Sequence, residues 1–235
     1  MESLLVDNPG RYSVNEAFDL CRNLAKTHYE NFPVGSFLLP RHKRRHIYAL
    51  YAFCRFVDFL GDQAKGNRLE LLETWEEDLR RCYGGIPNHP ILLALQISIQ
   101  TFDIPIEPFL KLIKANRMDQ DKVRYSTYHE LAYYCEHSAN PVGHLVLYIF
   151  GYNEAKLHSL SDYVCTALQL TNFWQDVVND FNMGRIYIPL EDMAIFGYTE
   201  EDLGQKLNNN NLRELMAFEV ARARNFYAKG TELVK

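Results

Sequence analysis

The side chains best suited to chemistry lie in the segment YVCTALQLTNFWQDVVND, residues 163–180. In a helix of this segment, four polar residues three or four positions apart form one stripe: Gln169, Asn172, Asp176 and Asp180. The rest of the helix is crowded with apolar residues: Leu168, Leu170, Phe173, Trp174, Val177 and Val178. This pattern predicts a largely buried helix, in which an unpaired carboxylate would cost several kcal/mol.

A divalent cation would offset that cost, and it would also relieve the repulsion between two aspartates four residues apart. The ligands that the stripe offers are all oxygens. Oxygen ligands favour Mg²⁺, which is usually held by one or two carboxylates together with phosphate oxygens of a substrate. The segment therefore predicts a Mg²⁺ site.

A second stripe of the same kind lies in HIYALYAFCRFVDFLGD, residues 46–62. Its members fall at positions i, i+4, i+7 and i+11 and have apolar neighbours on both sides: Tyr51, Arg55, Asp58 and Asp62. One pair of acids at this spacing is common on a solvated helix face, because buried aspartate is rare. Two such stripes on two helices instead predict the two halves of one metal site.

Nearly every other segment also has a helical period. Capping boxes open helices at Ser13 and Thr127, while Thr199 and Asn211 are the expected caps of two helices near the C-terminus. The stretch from Arg185 to Pro189, after the second acidic helix, is expected to be looser. No β-alternation of useful length occurs in the sequence. The pattern therefore predicts an all-α protein with a single domain over residues 1–235.

Charge and composition exclude several classes of function. Lys and Arg number 25 against 30 Asp and Glu, a net charge of −5, so the chain offers no basic field for nucleic acid. The five cysteines form no CxxC pair, which indicates reduced thiols in a cytoplasm. No basic and apolar leader is found, and no apolar run approaches the roughly 20 residues of a spanning helix. We expect a cytoplasmic protein, with peripheral contact with the inner membrane face left open.

Two acidic pairs in an aromatic, apolar helical protein fit the ionisation of a prenyl diphosphate. Mg²⁺ and cationic side chains neutralise the charge that grows on a diphosphate leaving group, and Arg55 and Arg185 are the candidate donors. The faces of Tyr and Phe, which number 15 and 14, stabilise the remaining carbocation without reacting with it. For any single aromatic residue, plain core packing is the alternative interpretation.

The chain resembles the squalene/phytoene synthase family of head-to-head trans-isoprenyl diphosphate synthases. The resemblance rests on YAFCRFVDFLGD, LQLTNFWQDVVND and GRIYIP, and with the intervening sequence it covers nearly the whole chain. It implies the class I isoprenoid synthase fold, a bundle of helices with a central cavity. Family members continue past the position of Lys235 with further helices, so we expect this fold without the last C-terminal helices.

Within the family, HYENFPVGSFLLP, YCEHSANPVG and NFWQD resemble the hydroxysqualene synthase branch of bacterial hopanoid biosynthesis. That branch implies presqualene diphosphate as substrate, capture of the rearranged cation by water, and hydroxysqualene and diphosphate as products. It also implies functional coupling to other enzymes of the hopanoid or squalene pathway. No nicotinamide is required, and the sequence contains no glycine motif for a nucleotide.

The resemblance implies roles for individual residues. The expected metal ligands are Asp58, Asp62, Asn172, Asp176 and Asp180. Diphosphate binding is expected of Asn31, Arg55, Gln169, Asn172 and Arg185. The expected catalytic residues are Tyr51, Arg55 and Tyr187, which face the cation or the leaving group. Glu136 departs from the family pattern, and our hypothesis is that it or its neighbour His137 positions the water; a solvated residue at a helix end is the alternative interpretation.

Three positions depart from the wider family. A Ser-x-Ser that contacts diphosphate is replaced by Tyr29-Glu30-Asn31, a tyrosine after the mid-chain cysteine by Glu136, and an arginine before Asp176 by Gln175.

Two other functions stay open. A squalene, phytoene or dehydrosqualene synthase would share the metal ligands and condense two prenyl diphosphates. A non-catalytic partner protein would only bind prenyl lipids.

Two further enzyme classes are disfavoured by the sequence. A class I terpene cyclase carries an Asn/Asp-x-x-Ser/Thr-x-x-x-Glu run in its second motif, and residues 163–180 contain none. A di-iron carboxylate bundle needs Glu-x-x-His on two helices, and the sequence does not provide it.

Overall fold

The chain is described here by a computed structural model, which covers residues 1, 12–27 and 39–234. It divides into two compact units. The first unit comprises Met1–Arg117 and His144–Asn153, and the second comprises Met118–Gly143 and Glu154–Lys235. All regular secondary structure in the described ranges is helical, apart from one isolated bridge between Arg124 and Ile186. The prediction of an all-α protein is confirmed, while the prediction of a single domain stays a prediction.

Eleven α-helices occur in the described part of the chain: α1 Val14–Thr27, α2 Arg41–Asp62, α3 Arg68–Gly84, α4 Pro90–Phe102, α5 Glu107–Asp121, α6 Tyr128–Ser138, α7 Asn140–Phe150, α8 Ala155–Asn182, α9 Leu190–Ile195, α10 Glu200–Gly204 and α11 Asn210–Gly230. A 3₁₀ turn, Thr231–Val234, follows α11. None of these helices is both long enough and apolar enough to cross a membrane.

The ends of the helices follow the capping residues for the most part. The Ser13 hydroxyl and the Glu16 carboxylate cap α1 reciprocally, and Thr199 forms a complete capping box with Asp202 at α10. The prediction that Asn211 caps the last helix is wrong. Asn209 accepts from the Leu212 N–H at 2.9 Å, and the Asn211 amide instead donates to the Gly197 carbonyl. A run of four asparagines makes the cap position ambiguous from sequence.

Helix α2 is fixed in the first unit by its apolar side. It packs against α1, α3 and α4, and its large apolar side chains, such as Phe53 and Phe56, are almost fully buried. Phe53 meets Trp75 of α3 and Phe109 of α5 with ring centroids 5.9 Å and 5.1 Å apart. Each such side chain contributes roughly 1.5–3 kcal/mol by burial. The core therefore holds α2 rigidly, with Asp58 and Asp62 on its exposed side.

Helix α8 organises the second unit, where it packs against α6 and α11. The chain that follows α8 lies along residues 123–126. Backbone N–H groups of Ile186, Leu190 and Glu191 donate to carbonyls of this segment at 2.9–3.1 Å. The segment expected to be looser is therefore a fixed loop, and it leads into α9, a helix that the sequence pattern does not indicate.

Candidate active site

The first acidic pair stands near the C-terminal end of α2. The Asp58 and Asp62 side chains are both exposed. The Asn116 amide of α5 donates to the Asp58 carboxylate at 3.3 Å, and Asn116 itself is buried. Because this donor comes from a packed helix, it restricts the orientation of Asp58.

Gly61 makes this contact possible, since a Cβ at that position would collide with the Asn116 amide. We expect Gly61→Ala to turn the Asn116 side chain away from Asp58 and to destabilise the fold by about 1–3 kcal/mol through overpacking. Thermal unfolding and Mg²⁺-dependent turnover would measure the two effects. Gly84→Ala is the matched control, because nothing lies within 4 Å of a Cβ there. Equal behaviour of the two variants would contradict the prediction.

Arg55 lies one turn before Asp58 on the same helix. Its Nε is buried and has no hydrogen-bond partner among the described residues. A buried cationic donor without an acceptor is costly, because the group loses its hydration and gains nothing. An anionic ligand would satisfy it. Tyr51, one turn further back, is half-buried.

The second acidic pair stands on α8. Asp176 is exposed and accepts from the Asn179 amide at 3.2 Å. Partial burial, together with the negative charge of Asp176, raises the pKa of Asp180 to about 6, while Arg185 acts in the opposite direction. The two carboxylates therefore repel each other, and the protein's own cation offsets this only in part.

The predicted burial of the polar stripe is wrong. Asp58, Asp62, Asn172 and Asp176 are exposed, and Gln169 and Asp180 are half-buried. On α8 the apolar residues Leu168 and Val178 are 49% and 42% exposed, while Leu170, Phe173 and Trp174 are buried. Contact with α6 and α11 leaves part of the helix surface uncovered. The argument that a buried carboxylate needs a cation therefore applies only to Asp180, because the other three aspartates are exposed.

The GRIYIP loop carries Arg185 and Tyr187 away from the end of α8. The Arg185 N–H donates to the Asp180 carbonyl at 2.8 Å. The buried Tyr187 ring stacks on Phe173 of α8, with centroids 3.9 Å apart and an interplanar angle of 9°. Phe173 follows Asn172 and precedes Asp176 by three positions. The loop and the acidic stripe therefore form one structural unit around this stack.

Three tyrosines surround a carboxylate that sequence reasoning missed. Tyr134 donates its hydroxyl to Asp119 at 2.8 Å, and the Tyr125 ring lies 5.6 Å from Tyr134 and 5.7 Å from Tyr187. Burial is the main reason why the pKa values of all three phenols are raised. The phenols therefore stay protonated near neutral pH. No local pattern marks Asp119, because the tertiary fold brings these side chains together.

The remaining predicted residues have less defined surroundings. Glu136 is exposed on α6, and its neighbour His137 is buried with Nδ1 2.8 Å from the Tyr133 carbonyl. Asn31 lies outside the described residues. The first acidic pair and Arg55 belong to the first unit, whereas the second pair, Arg185 and Tyr187 belong to the second. That the two pairs form one site stays a prediction.

The donor set suits Mg²⁺ that is held jointly by protein and substrate. Within the described ranges, no three His, Cys, Asp or Glu side chains cluster in a way that would hold a metal by themselves. Mg²⁺ does not require such a cage, because it usually binds one or two carboxylates, several waters and substrate phosphates. Burial is the main cause of the raised pKa of Asp180, and the repulsion by Asp176, which raises it further, is also what a cation would relieve. The residues present therefore fit the ion.

Comparison with known proteins defines the class to which this fold and these motifs belong. The sequence profile of the squalene/phytoene synthase family matches residues 25–235. A phytoene synthase of Arthrospira platensis is 37% identical over 233 residues, which are 93% of this chain and 75% of that protein. The fold is that of the all-α isoprenoid synthases. The chain belongs to the squalene/phytoene synthase family, whose members act on prenyl diphosphates.

Two crystal structures extend the comparison. The squalene synthase HpnC from Alicyclobacillus acidocaldarius superposes with a TM-score of 0.90 and 46% identity, covering 94% of this chain and 84% of that one. A dehydrosqualene synthase in complex with ligand superposes with a TM-score of 0.86 and 30% identity, covering 94% and 78%. The predicted family and the predicted fold class are thereby confirmed.

Proposed function

We propose that the protein is a Mg²⁺-dependent synthase of the hydroxysqualene branch, with presqualene diphosphate as substrate and hydroxysqualene and diphosphate as products. The observation that carries the choice of branch is the 46% identity to the squalene synthase HpnC, compared with 37% to the phytoene synthase and 30% to the dehydrosqualene synthase. The motif YCEHSANPVG, which spans residues 134–143, supports the same branch.

The acidic pairs supply the metal ligands in this proposal. Asp58 and Asp62 on α2, and Asn172, Asp176 and Asp180 on α8, offer oxygen atoms at helical spacing. When bound, Mg²⁺ supplies positive charge that stabilises the diphosphate as the carbon–oxygen bond breaks. Arg55 and Arg185 donate hydrogen bonds to diphosphate oxygens, and Gln169 contributes an amide. The buried Nε of Arg55, which has no hydrogen-bond partner among the described residues, supports the role of Arg55 as a diphosphate donor.

The aromatic residues stabilise the cation without capturing it. Tyr187 belongs to a stack with Phe173 and Tyr125, whose faces carry the negative part of the ring quadrupole. Because burial raises the pKa of Tyr187, its phenol stays protonated and is a poor nucleophile towards a carbocation. Tyr51 faces the cation or donates to the leaving group.

Water capture needs a base close to the cation. Water adds to the carbocation and loses a proton, which leaves the alcohol. We expect Glu136→Gln to lower the ratio of hydroxysqualene to hydrocarbon products several-fold, because the amide cannot accept this proton. Product analysis by mass spectrometry measures the ratio. Glu214→Gln is the matched control, because Glu214 is an exposed residue of α11. Glu191 is unsuitable, because its carboxylate accepts a hydrogen bond from the Tyr128 N–H. An unchanged product ratio in Glu136→Gln would exclude Glu136 as the base that accepts the proton of the captured water.

The proposal is tested by supplying substrates separately. Purified protein with Mg²⁺ is expected to convert presqualene diphosphate, given alone, into hydroxysqualene and diphosphate. Omission of Mg²⁺ or addition of a chelator is expected to stop the release of diphosphate. If the protein does not convert presqualene diphosphate alone but does convert farnesyl or geranylgeranyl diphosphate, it belongs to another branch of the family.

A squalene, phytoene or dehydrosqualene synthase that condenses two prenyl diphosphates is the second candidate. It is favoured by the phytoene synthases of Arthrospira platensis and Synechocystis, each of which is 37% identical to this chain. Such an enzyme would join two prenyl diphosphates and would give a C–C coupled hydrocarbon from them. A non-catalytic partner protein would bind prenyl lipids and release no diphosphate with either substrate.

A further inference from the structure

The peptide between Gly184 and Arg185 is held from both sides. Its N–H, which belongs to Arg185, donates to the Asp180 carbonyl at the end of α8 at 2.8 Å. Its carbonyl, which belongs to Gly184, accepts from Nη1 of Arg124 at 2.6 Å. Gly184 has a φ of +82°, a conformation that glycine adopts without strain. The backbone that enters the GRIYIP loop is therefore fixed at the residue before Arg185.

Arg124 is itself held in place. Its Nε and Nη2 donate to the two carboxylate oxygens of Glu200 at 3.0 Å and 3.1 Å. Nη1 also donates to the Val123 carbonyl at 2.9 Å, and the same carbonyl accepts from the Ile186 N–H. Glu200 is the first residue of α10, whose capping box at Thr199 fixes the start of that helix. The planar guanidinium fork matches this arrangement, which a lysine ammonium cannot reproduce.

We propose that Arg124 is a positioning residue for diphosphate binding. Together with Glu200 it forms a clamp on the Gly184 carbonyl, and this clamp sets the direction in which Arg185 leaves the backbone. The inference rests on the proposed function, in which Arg185 binds diphosphate. Arg124 acts only through Arg185 and the loop. Its exposed pair with Glu200 contributes little to global stability, since ion pairs of this kind are worth about 0–1 kcal/mol.

Calorimetric titration of inorganic diphosphate in the presence of Mg²⁺ tests the clamp without relying on turnover. Arg124→Lys keeps the positive charge opposite Glu200 but loses the planar guanidinium, which donates to Glu200 and to the Gly184 carbonyl at the same time. We expect diphosphate binding about tenfold weaker, the equivalent of one lost charge-assisted contact, and an unfolding midpoint close to that of the wild type. Glu200→Gln is the second variant. We expect a loss of about threefold, because Arg124 keeps one of the two side-chain oxygens at position 200 as an acceptor, together with both carbonyls.

Arg22→Lys on α1 is the matched control, because Arg22 pairs with Asp19 at 3.1 Å on an exposed helix face. It is expected to bind diphosphate like the wild type. Combining Arg124→Lys with Arg185→Ala should weaken binding by no more than about twofold beyond Arg185→Ala alone, because residues that act through one another are not additive.

The outcomes separate the clamp from the proposed function. If Arg185→Ala weakens diphosphate binding while Arg124→Lys and Glu200→Gln do not, the clamp is overturned and the role of Arg185 stands. If the effects of Arg124→Lys and Arg185→Ala multiply in full, Arg124 acts independently of Arg185 and the clamp is overturned as well. If Arg185→Ala binds diphosphate like the wild type, the role of Arg185 in the proposed function fails, and the clamp fails with it.

Discussion

Asp58→Asn and Asp176→Asn are each expected to lower turnover by about a thousandfold or more. Asparagine keeps the size of the side chain but removes the negative charge that binds Mg²⁺, and metal stabilisation of a leaving group is worth several kcal/mol. Because both carboxylates are exposed, their replacement should change the free energy of unfolding by less than about 0.5 kcal/mol. Steady-state kinetics at saturating Mg²⁺ and thermal unfolding of the same samples measure the two quantities.

The control for this pair of variants is Asp19→Asn. It makes the same chemical change at an exposed residue of α1, outside both acidic motifs. It should retain turnover. If Asp58→Asn and Asp176→Asn both kept full activity, neither pair would bind the metal. If they lost activity together with their helical fold, the exposed carboxylates would have a structural role that their surroundings do not indicate.

Arg222→Met is expected to destabilise the protein by about 3–5 kcal/mol, the usual cost of leaving a buried charge without its partner. Nη1 of Arg222 lies 2.6 Å from the Asp192 carboxylate and 2.8 Å from that of Glu219, and both acids are almost fully buried. The guanidinium also stacks over the Tyr128 ring, 4.1 Å from its centroid. Methionine fills the volume but leaves the buried Asp192 carboxylate without its cation and Glu219 without the hydrogen bonds that Arg222 donates. Chemical denaturation measures the loss.

One guanidinium cannot balance two buried carboxylates, and burial raises the pKa of Glu219 above its ordinary value of 4.5. A group with a raised folded-state pKa adds stability that is complete below the unfolded-state pKa and is lost as the pH rises through the folded-state value. The stability of the wild type should therefore fall with rising pH over that interval. Glu219→Gln, which mimics the protonated acid, should flatten this slope.

Arg22→Met controls for the loss of an arginine on an exposed helix face. It should change the free energy of unfolding by less than about 1 kcal/mol. If Arg222→Met were as stable as Arg22→Met, the buried carboxylates would not need their cation. A wild-type stability independent of pH above 4.5 would show that Glu219 is ionised in the fold.

The sequence was sufficient for the fold class and for the position of both acidic helices. Local signals dominate there. The apolar residues of α2 recur with a helical period, so its length and its buried side follow directly from their spacing. The capping residues Ser13 and Thr199 act through hydrogen bonds three residues apart, which a linear pattern records.

Tertiary contacts account for what sequence could not predict. Asn116 is 58 positions from Asp58, and Glu200 is 76 positions from Arg124, so no spacing rule connects them. The exposure of Leu168 and Val178 depends on which neighbours α8 has, and composition alone predicted their burial. The loop that carries Arg185 reads as irregular in sequence because its order comes from backbone bonds to residues 123–126.

Calorimetric titration of inorganic diphosphate, with Mg²⁺ and with a chelator in its place, tests most directly whether both acidic pairs bind metal. The wild type is expected to bind diphosphate only with Mg²⁺, and Asp58→Asn and Asp176→Asn are each expected to abolish this binding. Binding that persists in the chelator, or that survives in both variants, would contradict the role of the two acidic pairs.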